Sequence, residues 1–539
     1  MASEFGVIGL GVMGGAYTQN LTSRGIRVSA FSIQQSEIDK MKALDIKNLQ
    51  LYMSLQEFVG SLERPRKILM LITAGKAVDQ VIESLIGLLE KDDILIDGGN
   101  EWYENTIRRF GRCGSHGIHY CAVGVSGGER GARQSPCIMF SGSRDDYDAV
   151  KQYIEQDGRS FYVGPGASGH YVKMVHNGIE YGIMQILSEV YMIMSCILEL
   201  QFDTISKILA EWNDAEVGSF LLKITAEILQ VKDNDGVTYL VDKIVDSSGA
   251  NGTGKWTVKE ALDLGVPVPT ITAAVEMRHA SNAHRSTQII PNRQVKEGHN
   301  ISEGDLQRTL HVCMVICFAQ GLSLLMEASN RFDWKLDLQQ ICNIWSKDAI
   351  VSCKVLSTMS DVCSENPQLF NVLQHTSIRT IIGDSLESWR KVHLHDHNTG
   401  TERATRILTR EAIDGEITRL CNVIFGSIGG GFVAEATSVA LVDEPESLVL
   451  IQTRRNFLPN VICVLQCLDR LQKASVTVEI VHVGGTLHQC KKLLFTKLLS
   501  TLSQLQALTL AQAPPKQVHT QKALSAINEV HKLRNSTAQ

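Results

Sequence analysis

Short apolar runs alternate with amphipathic segments along the first part of the chain. Runs at residues 5–8, 26–31, 68–72, 94–96 and 118–123 predict buried strands, because each is apolar and too short for a typical helix. Segments between them, residues 78–89 for example, have helical periodicity. This alternation predicts an α/β N-terminal domain of the doubly wound, Rossmann type.

The turn after the first apolar run is rich in glycine. It reads Gly9-Leu10-Gly11-Val12-Met13-Gly14 and leads into a helical segment. A GxGxxG pattern is a weak signal alone, but between a strand and a helix it indicates a dinucleotide site. The glycines let the backbone approach a pyrophosphate, whose charge is stabilised by the helix N-terminus.

The residues after the second apolar run should distinguish NAD from NADP. An acidic residue there would bind the ribose hydroxyls, and a basic residue would bind the extra phosphate. Ser32, Ile33 and Gln34 are neither, and nothing in the sequence places Arg27 or Lys40 on the ribose. The choice of cofactor therefore stays open on these residues alone.

Three further loops follow predicted strands. They are Thr73-Ala74-Gly75, Gly98-Gly99-Asn100 and Ser126-Gly127-Gly128. Ligands of doubly wound sheets bind beyond the C-terminal ends of the strands, so we expect these loops to surround the ligands. The third loop offers a hydroxyl group and backbone N–H groups suited to a carboxylate or phosphate, and a plain turn explains it equally well.

Polar residues line one face of a helix predicted over residues 170–182. That face carries Lys173, His176, Asn177, Glu180 and Tyr181, which are three, four, seven or eight positions apart. The ordinary interpretation of such a stripe is a solvated face. The mixture of amine, imidazole, amide, carboxylate and phenol favours a site that holds a proton donor and a proton acceptor. Two glycines behind the stripe should admit a close neighbouring backbone.

The composition of the chain limits the class of protein and the kinds of partner that are expected. The 539 residues are 44% hydrophobic and 20% charged, with a formal net charge of -6, which is ordinary for a globular protein of several domains. The charge favours neither nucleic acid nor a membrane as partner. No signal peptide and no membrane-spanning run is expected. The 13 scattered cysteines lack metal-type spacing, which predicts buried thiols in a reducing cytoplasm.

The middle of the chain is predicted to be a large all-α domain. Its most apolar segment, residues 306–327, should be a core helix. The cluster His393-Leu394-His395-Asp396-His397 lacks a second group of ligands, so no metal is predicted.

The C-terminal region changes character after a glycine run at residues 429–431. Residues 476–483 predict a strand, and residues 493–510 predict a leucine-rich helix. We predict a dinucleotide-binding domain over residues 1–168, a helical substrate and dimerisation domain over residues 169–430, and a divergent C-terminal tail over residues 431–539.

Several motifs together make the chain resemble the decarboxylating 6-phosphogluconate dehydrogenases. Matching positions are frequent up to about residue 330 and become rare by about residue 430. In family order, the matching motifs are the glycine turn at residues 9–14, Thr73-Ala74-Gly75, Gly98-Gly99-Asn100, Val125-Ser126-Gly127-Gly128-Glu129, residues 173–182 and Gly252-Thr253-Gly254-Lys255-Trp256-Thr257.

The resemblance implies an activity in the pentose phosphate pathway. Members of the family oxidise 6-phosphogluconate with hydride transfer to NADP+, and the product loses carbon dioxide to give ribulose 5-phosphate. Lys173 matches the lysine that takes the hydroxyl proton and assists decarboxylation, and Glu180 matches the acid that protonates the enediol. The base must be a neutral amine at the right moment, so its pKa should be lowered.

The resemblance also implies binding residues. Substrate positions are Asn100, Ser126, Gly127, Gly128, His176, Asn177, Tyr181 and Arg278, the last two matching phosphate contacts. Cofactor positions are Gly9, Leu10, Gly11, Val12, Met13, Gly14, Ser32, Ile33, Gln34, Ile72, Thr73, Ala74 and Asn100. The family further implies a cytoplasmic homodimer without a metal ion.

Three departures from the family pattern affect these expectations. Ile33 stands where the family has an arginine for the NADP 2′-phosphate, so NAD is not excluded. Loss of such a charged contact costs roughly 1.5–3 kcal/mol. Asn251 replaces a lysine that contacts substrate phosphate, and the family's C-terminal Arg-Asp-x-Phe-Gly-x-His pattern is not found.

Two alternatives to the active dehydrogenase follow. One is another β-hydroxyacid dehydrogenase, which would share the front fold and the lysine. The other is a catalytically weakened homologue that senses a nucleotide or sugar phosphate or serves as an assembly subunit. Ile33 and Asn251 motivate the second alternative, whereas the intact Lys173 and Glu180 oppose it.

Overall fold

The computed structural model describes residues 2–245, 247–283, 301–347 and 349–393, together with four short strands between residues 437 and 475. The chain divides into two compact units, Met1–Gly400 and Thr401–Gln539. The first unit contains a large sheet followed by a helical region.

An eight-stranded sheet forms the N-terminal part of the first unit. Its strands are β1 (Phe5–Ile8), β2 (Val28–Phe31), β3 (Leu49–Tyr52), β4 (Lys67–Met70), β5 (Ile94–Asp97), β6 (His119–Ser126), β7 (Cys137–Ser141) and β8 (Ser160–Gly164). Their spatial order is β3-β2-β1-β4-β5-β6-β7-β8. The order reverses between β1 and β4, which is the switch point at which doubly wound sheets bind ligands.

Strand direction brings the candidate loops to one edge. In the middle of the sheet, Val7 pairs in parallel with Ala30 on one side and with Leu69 on the other. The parallel arrangement continues through β5 and β6, whereas β7 is antiparallel to β6. The loops after β1, β2, β4, β5 and β6 therefore open at the same edge of the sheet.

Helices cover both faces of this sheet. Successive side chains of β1 point to opposite faces, so Val7 joins one apolar cluster with Tyr17, and Ile8 joins another with Phe58. The helices are α1 (Val12–Ser23), α2 (Gln35–Lys42), α3 (Leu55–Gly60), α4 (Lys76–Ile86), α5 (Tyr103–Gly114), α6 (Gly128–Gln134) and α7 (Arg144–Ile154).

The rest of the first unit is helical. The helices are α8 (Ser168–Met192), α9 (Phe202–Asn213), α10 (Phe220–Ile228), α11 (Thr253–Leu264), α12 (Pro269–Ala283), α13 (Glu303–Phe332), α14 (Leu338–Trp345), α15 (Val355–Glu365) and α16 (Thr376–His393). A π-helical turn at Ile193–Ile197 follows α8, and 3-10 turns lie at Leu240–Lys243 and Val372–Gln374.

Helix α13 is the long core helix of this region. Ser302 and Asp305 form a capping box at its start. The helix is apolar and long enough to cross a membrane, so the expectation that no segment has this character is wrong. However, 89% of its apolar window is buried inside the protein, as in the core helix of a large domain.

The described part of the second unit consists of short antiparallel pairs. Strand β9 (Thr437–Asp443) pairs with β10 (Leu448–Thr453), with an irregularity in register between Leu450 and Ile451. Strand β11 (Arg470–Leu471) pairs with β12 (Ala474–Ser475).

The predicted fold class of the first unit is confirmed, a Rossmann-type sheet followed by a large helical region. The antiparallel junction of β6 and β7 was not predicted, because apolar runs do not reveal strand direction. Four expectations lie outside the described residues: the cluster beyond His393, the break at residues 429–431, the strand at residues 476–483 and the helix at residues 493–510.

Candidate active site

Helix α8 carries the polar stripe into the interior. Lys173, His176 and Asn177 are only 5%, 0% and 8% exposed, so the interpretation of this face as solvated is wrong. Burying a polar group costs folding free energy unless the group is hydrogen-bonded. The hydrogen-bond partners of these three residues therefore define the site.

Two glycines let other helices approach α8, as predicted. A Cβ atom on Gly178 would lie 2.6 Å from Cγ2 of Thr257 in α11. A Cβ atom on Gly182 would lie 2.4 Å from Sγ of Cys317 in α13. Larger residues would therefore push α11 and α13 away from the polar stripe.

Lys173 sits where α8 crosses the sheet. A Cβ atom on Gly124, in β6, would lie 2.3 Å from Cβ of Lys173, so only glycine allows this approach. The Nζ atom of Lys173 lies 3.3 Å from Nδ1 of His176, one turn further along the helix. The amine thus lies beside the nucleotide-binding sheet and within the polar stripe.

The partners of His176 determine its tautomer. Its Nδ1 lies 3.0 Å from Oδ1 of Asn177, an oxygen that only accepts, so Nδ1 carries the hydrogen. Its Nε2 lies 3.0 Å from Oγ of Ser126 and accepts from that hydroxyl group. Trp345 contacts the ring edge-on, with centroids 5.5 Å apart. The amine of Lys173 therefore faces an N–H group, an arrangement that suits a neutral amine.

The electrostatics of the stripe favour neutral groups. Burial lowers the pKa of Lys173 below its ordinary value, although the charge of Glu180 opposes the shift. Burial, and then the neighbouring Lys173, hold the pKa of His176 well below its ordinary value. Burial raises the pKa of Glu180, against the effects of Lys173 and Arg278. A lysine with a lowered pKa can act as a base, and a glutamate with a raised pKa can act as an acid.

Glu180 lies at the accessible end of the stripe. Its Oε2 atom is 3.9 Å from Nδ1 of His176, and its side chain is 21% exposed. Arg278 of α12 stacks on the ring of Tyr181 at 3.9 Å from the centroid and donates two hydrogen bonds to the carbonyl oxygen of Gly249. The predicted phosphate pair, Tyr181 and Arg278, is therefore brought together beside the predicted acid.

The loop after β6 meets α8 at the sheet edge. Gly127 and Gly128 have φ values of +113° and +61°, which favour glycine. Ser126, the last residue of β6, accepts a hydrogen bond from the N–H group of Ile350 at 3.2 Å and donates to His176. The substrate positions predicted at 126–128 therefore adjoin the polar stripe.

Two threonines of the Gly252–Thr257 motif form hydrogen bonds between α11 and α8. Thr253 Oγ1 accepts from Nδ2 of Asn177 at 3.2 Å, and Thr257 Oγ1 donates to the carbonyl oxygen of Met174 at 2.9 Å. Asn251, which replaces the family lysine, is exposed just before this motif.

At two positions of the glycine turn after β1, the neighbouring backbone leaves no room for a side chain. A Cβ atom on Gly9 would lie 2.5 Å from the carbonyl oxygen of Leu71, and one on Gly14 would lie 1.9 Å from that of Gly9. Helix α1 begins at Val12 without a side-chain cap, so the N–H groups of its first turn can receive an anion. This arrangement fits a dinucleotide pyrophosphate.

A buried arginine forms hydrogen bonds to both the loop after β4 and the loop after β5. Arg109 is 1% exposed and donates to Glu101 at 2.6 Å and to the carbonyl oxygen of Gly75 at 2.8 Å. Glu101 also accepts from the N–H group of Gly75 at 2.7 Å. The predicted residues on these loops, Ile72, Thr73, Ala74 and Asn100, are therefore held at the same edge as the glycine turn.

The end of β2 contains a carboxylate that sequence reasoning missed. Ser32 Oγ donates to Oε2 of Glu37 at 2.6 Å, and the N–H group of Leu10 donates to the same oxygen at 3.3 Å. Ile33 is 80% exposed, and Gln34 is exposed beside it. Arg27 pairs with glutamates at the opposite end of β2, so it does not face this edge.

Other residues of the site were also missed. Trp345 and Ile350 contact the His176–Ser126 pair from beyond residue 340, and no local pattern could have assigned them to it. Arg109 lies on an ordinary amphipathic helix, where an arginine normally indicates a solvated face. Glu37 follows the second strand by six positions, and a longer search for an acidic residue could have found it.

Family models match most of the chain. The NAD binding domain of 6-phosphogluconate dehydrogenase matches residues 4–164, and the C-terminal domain of 6-phosphogluconate dehydrogenase matches residues 169–406. A third model, the Rpp14/Pop5 family, matches residues 353–495. This third match includes residues 431–495 of the region that we expected to be a divergent tail, so that part of the tail resembles a different family.

Two relatives are similar in sequence to about 70% of this chain. A decarboxylating 6-phosphogluconate dehydrogenase of Lactococcus lactis is 40% identical over 387 residues, which cover 69% of this chain and 82% of the relative. The NADP(+)-dependent, decarboxylating enzyme of Bacillus subtilis is 39% identical over 404 residues, covering 72% and 86%.

A solved structure supports the same assignment. It is the 6-phosphogluconate dehydrogenase of Plasmodium falciparum, solved in its apo form, with its cofactor NADP+ and with its substrate 6-phosphogluconate. It is 38% identical to this chain and covers 72% of it and 87% of its own length, with a TM-score of 0.66. The chain belongs to the 6-phosphogluconate dehydrogenase family.

Proposed function

We propose that this chain catalyses the oxidative decarboxylation of 6-phosphogluconate to ribulose 5-phosphate and carbon dioxide, with hydride transfer to NADP+. One observation carries the proposal. Lys173 Nζ and Glu180 Oε2 lie 3.3 Å and 3.9 Å from the same nitrogen of His176, and burial shifts the two pKa values towards the neutral forms. A base and an acid are thus presented together from neighbouring helical turns.

Each residue of the pair has a distinct role. NADP+, when bound, supplies the hydride acceptor. Neutral Lys173 takes the proton of the 3-hydroxyl group as the hydride leaves, and returns a proton to the resulting carbonyl oxygen as carbon dioxide departs. Glu180, protonated in its buried position, then donates a proton to the carbon of the enediol while the enediol hydroxyl group gives its proton back to Lys173, which leaves the ketone. His176 keeps the two groups at a fixed separation through its contacts with Ser126 and Asn177.

The proposed cofactor site consists of the glycine turn and the loops beside it. The uncapped first turn of α1 and the space around Gly11 fit the pyrophosphate. The loops around Thr73 and Asn100, held by Arg109, would lie along the nicotinamide half. The cofactor positions predicted from the sequence would then be residues 9–14, in the glycine turn and the start of α1, and residues 32–34, 72–74 and 100 in the neighbouring loops.

The proposed substrate site extends from the sheet edge to α12. Asn100, Ser126, Gly127, Gly128, His176 and Asn177 would contact the sugar acid through polar groups. The guanidinium group of Arg278, which lies over the ring of Tyr181, would bind the phosphate, a pairing that suits the planar fork of arginine.

We also propose a domain arrangement and an assembly. A dinucleotide-binding domain would occupy residues 1–168, a helical domain residues 169–430 and a separate C-terminal region residues 431–539. We propose a cytoplasmic homodimer that uses neither a membrane nor nucleic acid for catalysis. Light scattering on the purified full chain would test the dimer, and a monomeric mass with full activity would contradict it.

The decisive experiment is a two-cofactor assay on the full chain. Formation of reduced cofactor is measured with 6-phosphogluconate and either NADP+ or NAD+, while released carbon dioxide is trapped. We expect equal amounts of reduced cofactor and carbon dioxide. A short-chain β-hydroxyacid without phosphate serves as the control, and turnover of that acid alone would identify another β-hydroxyacid dehydrogenase.

The exposed Asn251 favours a second candidate, a weakened homologue that binds sugar phosphate or nucleotide without turnover. Folded protein that binds nucleotide, yet reduces neither cofactor with 6-phosphogluconate, would establish this candidate and overturn the active enzyme.

A further inference from the structure

Glu37 stands where doubly wound folds distinguish NAD from NADP. In this fold class, the residues at the C-terminal end of the second strand face the adenosine ribose of the dinucleotide, and an acidic side chain there binds the ribose hydroxyls. Helix α2 turns back against the end of β2 and places its first-turn acid, Glu37, beside Ser32 and the glycine turn.

The two carboxylate oxygens of Glu37 have different surroundings. Oε2 accepts from Ser32 Oγ at 2.6 Å and from the N–H group of Leu10 at 3.3 Å. Oε1 is the atom that a Cβ on Gly11 would meet, at 3.6 Å. One oxygen therefore anchors the carboxylate, while the other is directed along the glycine turn. Ser32 is itself held by the N–H group of Gln34 at 3.0 Å, so the anchor is rigid.

Positive charge does not balance Glu37 within the described residues. No ion pair with Glu37 occurs in that part of the chain, and Arg27 is engaged with Glu4 and Glu63 at the other end of β2. Ile33, at the position after Ser32, presents an apolar side chain that is 80% exposed. A 2′-phosphate at this edge would meet a carboxylate and an isoleucine, with no arginine or lysine contacting that carboxylate.

We propose that Glu37, oriented by Ser32, is a specificity-determining residue that accepts a hydrogen bond from the ribose 2′-hydroxyl group and disfavours a 2′-phosphate. This chain therefore takes NAD+ as a second cofactor beside NADP+. A carboxylate accepting from a hydroxyl group forms a charge-assisted bond, whereas the same carboxylate repels a phosphate. The inference rests on the proposed function only in requiring that a nicotinamide dinucleotide binds.

The test is calorimetric titration of the full chain with NAD+ and with NADP+, without substrate. The quantity of interest is the ratio of the NAD+ Kd to the NADP+ Kd. For Glu37→Gln we expect this ratio to rise about tenfold, because repulsion of the phosphate is lost and the bond to the hydroxyl is weakened. The double variant Ile33→Arg with Glu37→Gln should raise it about a further tenfold through a charged contact to the phosphate.

Two comparison variants separate the roles of Glu37. Asp39→Asn removes the same charge from α2 two positions away, where the carboxylate pairs with Gln35, and should leave the ratio unchanged. Ser32→Ala removes the anchor and should raise the ratio by a smaller factor than Glu37→Gln. The ratio of kcat/KM for NADP+ to kcat/KM for NAD+, measured with 6-phosphogluconate, should rise in the same variants as the ratio of the Kd values.

The outcomes are distinguishable. An unchanged ratio in Glu37→Gln, or equal weakening of both dinucleotides, would overturn the inference and leave Glu37 only as a support of the glycine turn. The expected change in binding without turnover of 6-phosphogluconate would overturn the proposed function and uphold the inference. Wild-type protein that binds neither dinucleotide would overturn both.

Discussion

The Nζ atom of Lys173 lies 3.3 Å from Nδ1 of His176, a nitrogen whose hydrogen is fixed by Asn177. Both side chains are almost fully buried. The amine is therefore desolvated, which lowers its pKa before any substrate binds, and it faces an N–H group.

Replacement of the base should remove most of the activity. In Lys173→Met, a side chain of similar length keeps the packing against β6 but cannot take a proton, so we expect kcat to fall by about 10²–10⁴. Steady-state assays with 6-phosphogluconate would measure this loss. Lys207→Met, an exposed lysine of α9, is the matched control. Wild-type kcat in Lys173→Met would exclude the proposed proton transfer.

The pH profile should report both members of the pair. The pKa of Glu180 is raised above 4.5 and that of Lys173 is lowered below 10.5, so kcat/KM should be bell-shaped, with both limbs inside these limits. Activity is lost at low pH as the amine becomes protonated and at high pH as the carboxyl group ionises.

Removal of the Glu180 carboxyl group gives a further prediction. The carboxyl group of Glu180 sets the basic limb in this scheme, so in Glu180→Gln the residual activity should keep the acidic limb set by Lys173 and lose the basic limb. The measurement is the pH dependence of kcat/KM in the variant. A profile in the variant that still fell at high pH as in the wild type would exclude Glu180 as the acid.

The approach of α8 to β6 should be sensitive to a single methyl group. Gly124→Ala places a Cβ 2.3 Å from Cβ of Lys173, which must displace the amine. We expect a loss of about 1–3 kcal/mol in unfolding free energy from overpacking, and about a 10²-fold fall in kcat from misplacement of the base.

Gly182→Ala provides the matched comparison for this prediction. Its Cβ would lie 2.4 Å from Sγ of Cys317, so it strains the packing of α8 against α13 instead. Urea unfolding should show a similar loss of stability, whereas kcat should fall much less. Equal losses of kcat in the two variants would indicate a general disturbance of α8.

The buried arginine should be important for stability. In Arg109→Met, the carboxylates of Glu101 and Asp97, each with a side chain 1% exposed, lose their buried cation, so we expect a loss of about 3–5 kcal/mol in unfolding free energy. Arg112→Met removes an exposed pair with Glu83 from the same helix and should lower the unfolding free energy far less. Chemical denaturation would compare the two variants.

The period of apolar residues was sufficient to predict five of the eight strands of the sheet, β1, β2, β4, β5 and β6, whereas β3, β7 and β8 were not predicted. The strand predicted at residues 94–96 is β5 with one added residue, and the helix predicted at residues 306–327 lies within α13. Strand direction at β6 and β7 could not be predicted, because two antiparallel strands and two parallel strands share the same apolar pattern.

The stripe on α8 was visible in the sequence as a set of residues on one helical face, but its burial was not. A solvated face and a buried catalytic face have the same spacing, and only the packing of α11, α13 and β6 around Gly124, Gly178 and Gly182 distinguishes them. The contacts of His176 with Ser126 and Trp345 join positions separated by 50 and 169 residues.

The sequence by itself determined the five strands whose loops open at the candidate site, the glycine turn and the residue types of the proposed acid–base pair, because these depend on local period and on short motifs. Tertiary structure decided which of these groups lose water, that Arg109 ties two loops together, and that Glu37 rather than Ile33 supplies the charge at the end of β2. The physical reason is that burial and charge pairing depend on distances through space, which no local spacing along the chain encodes.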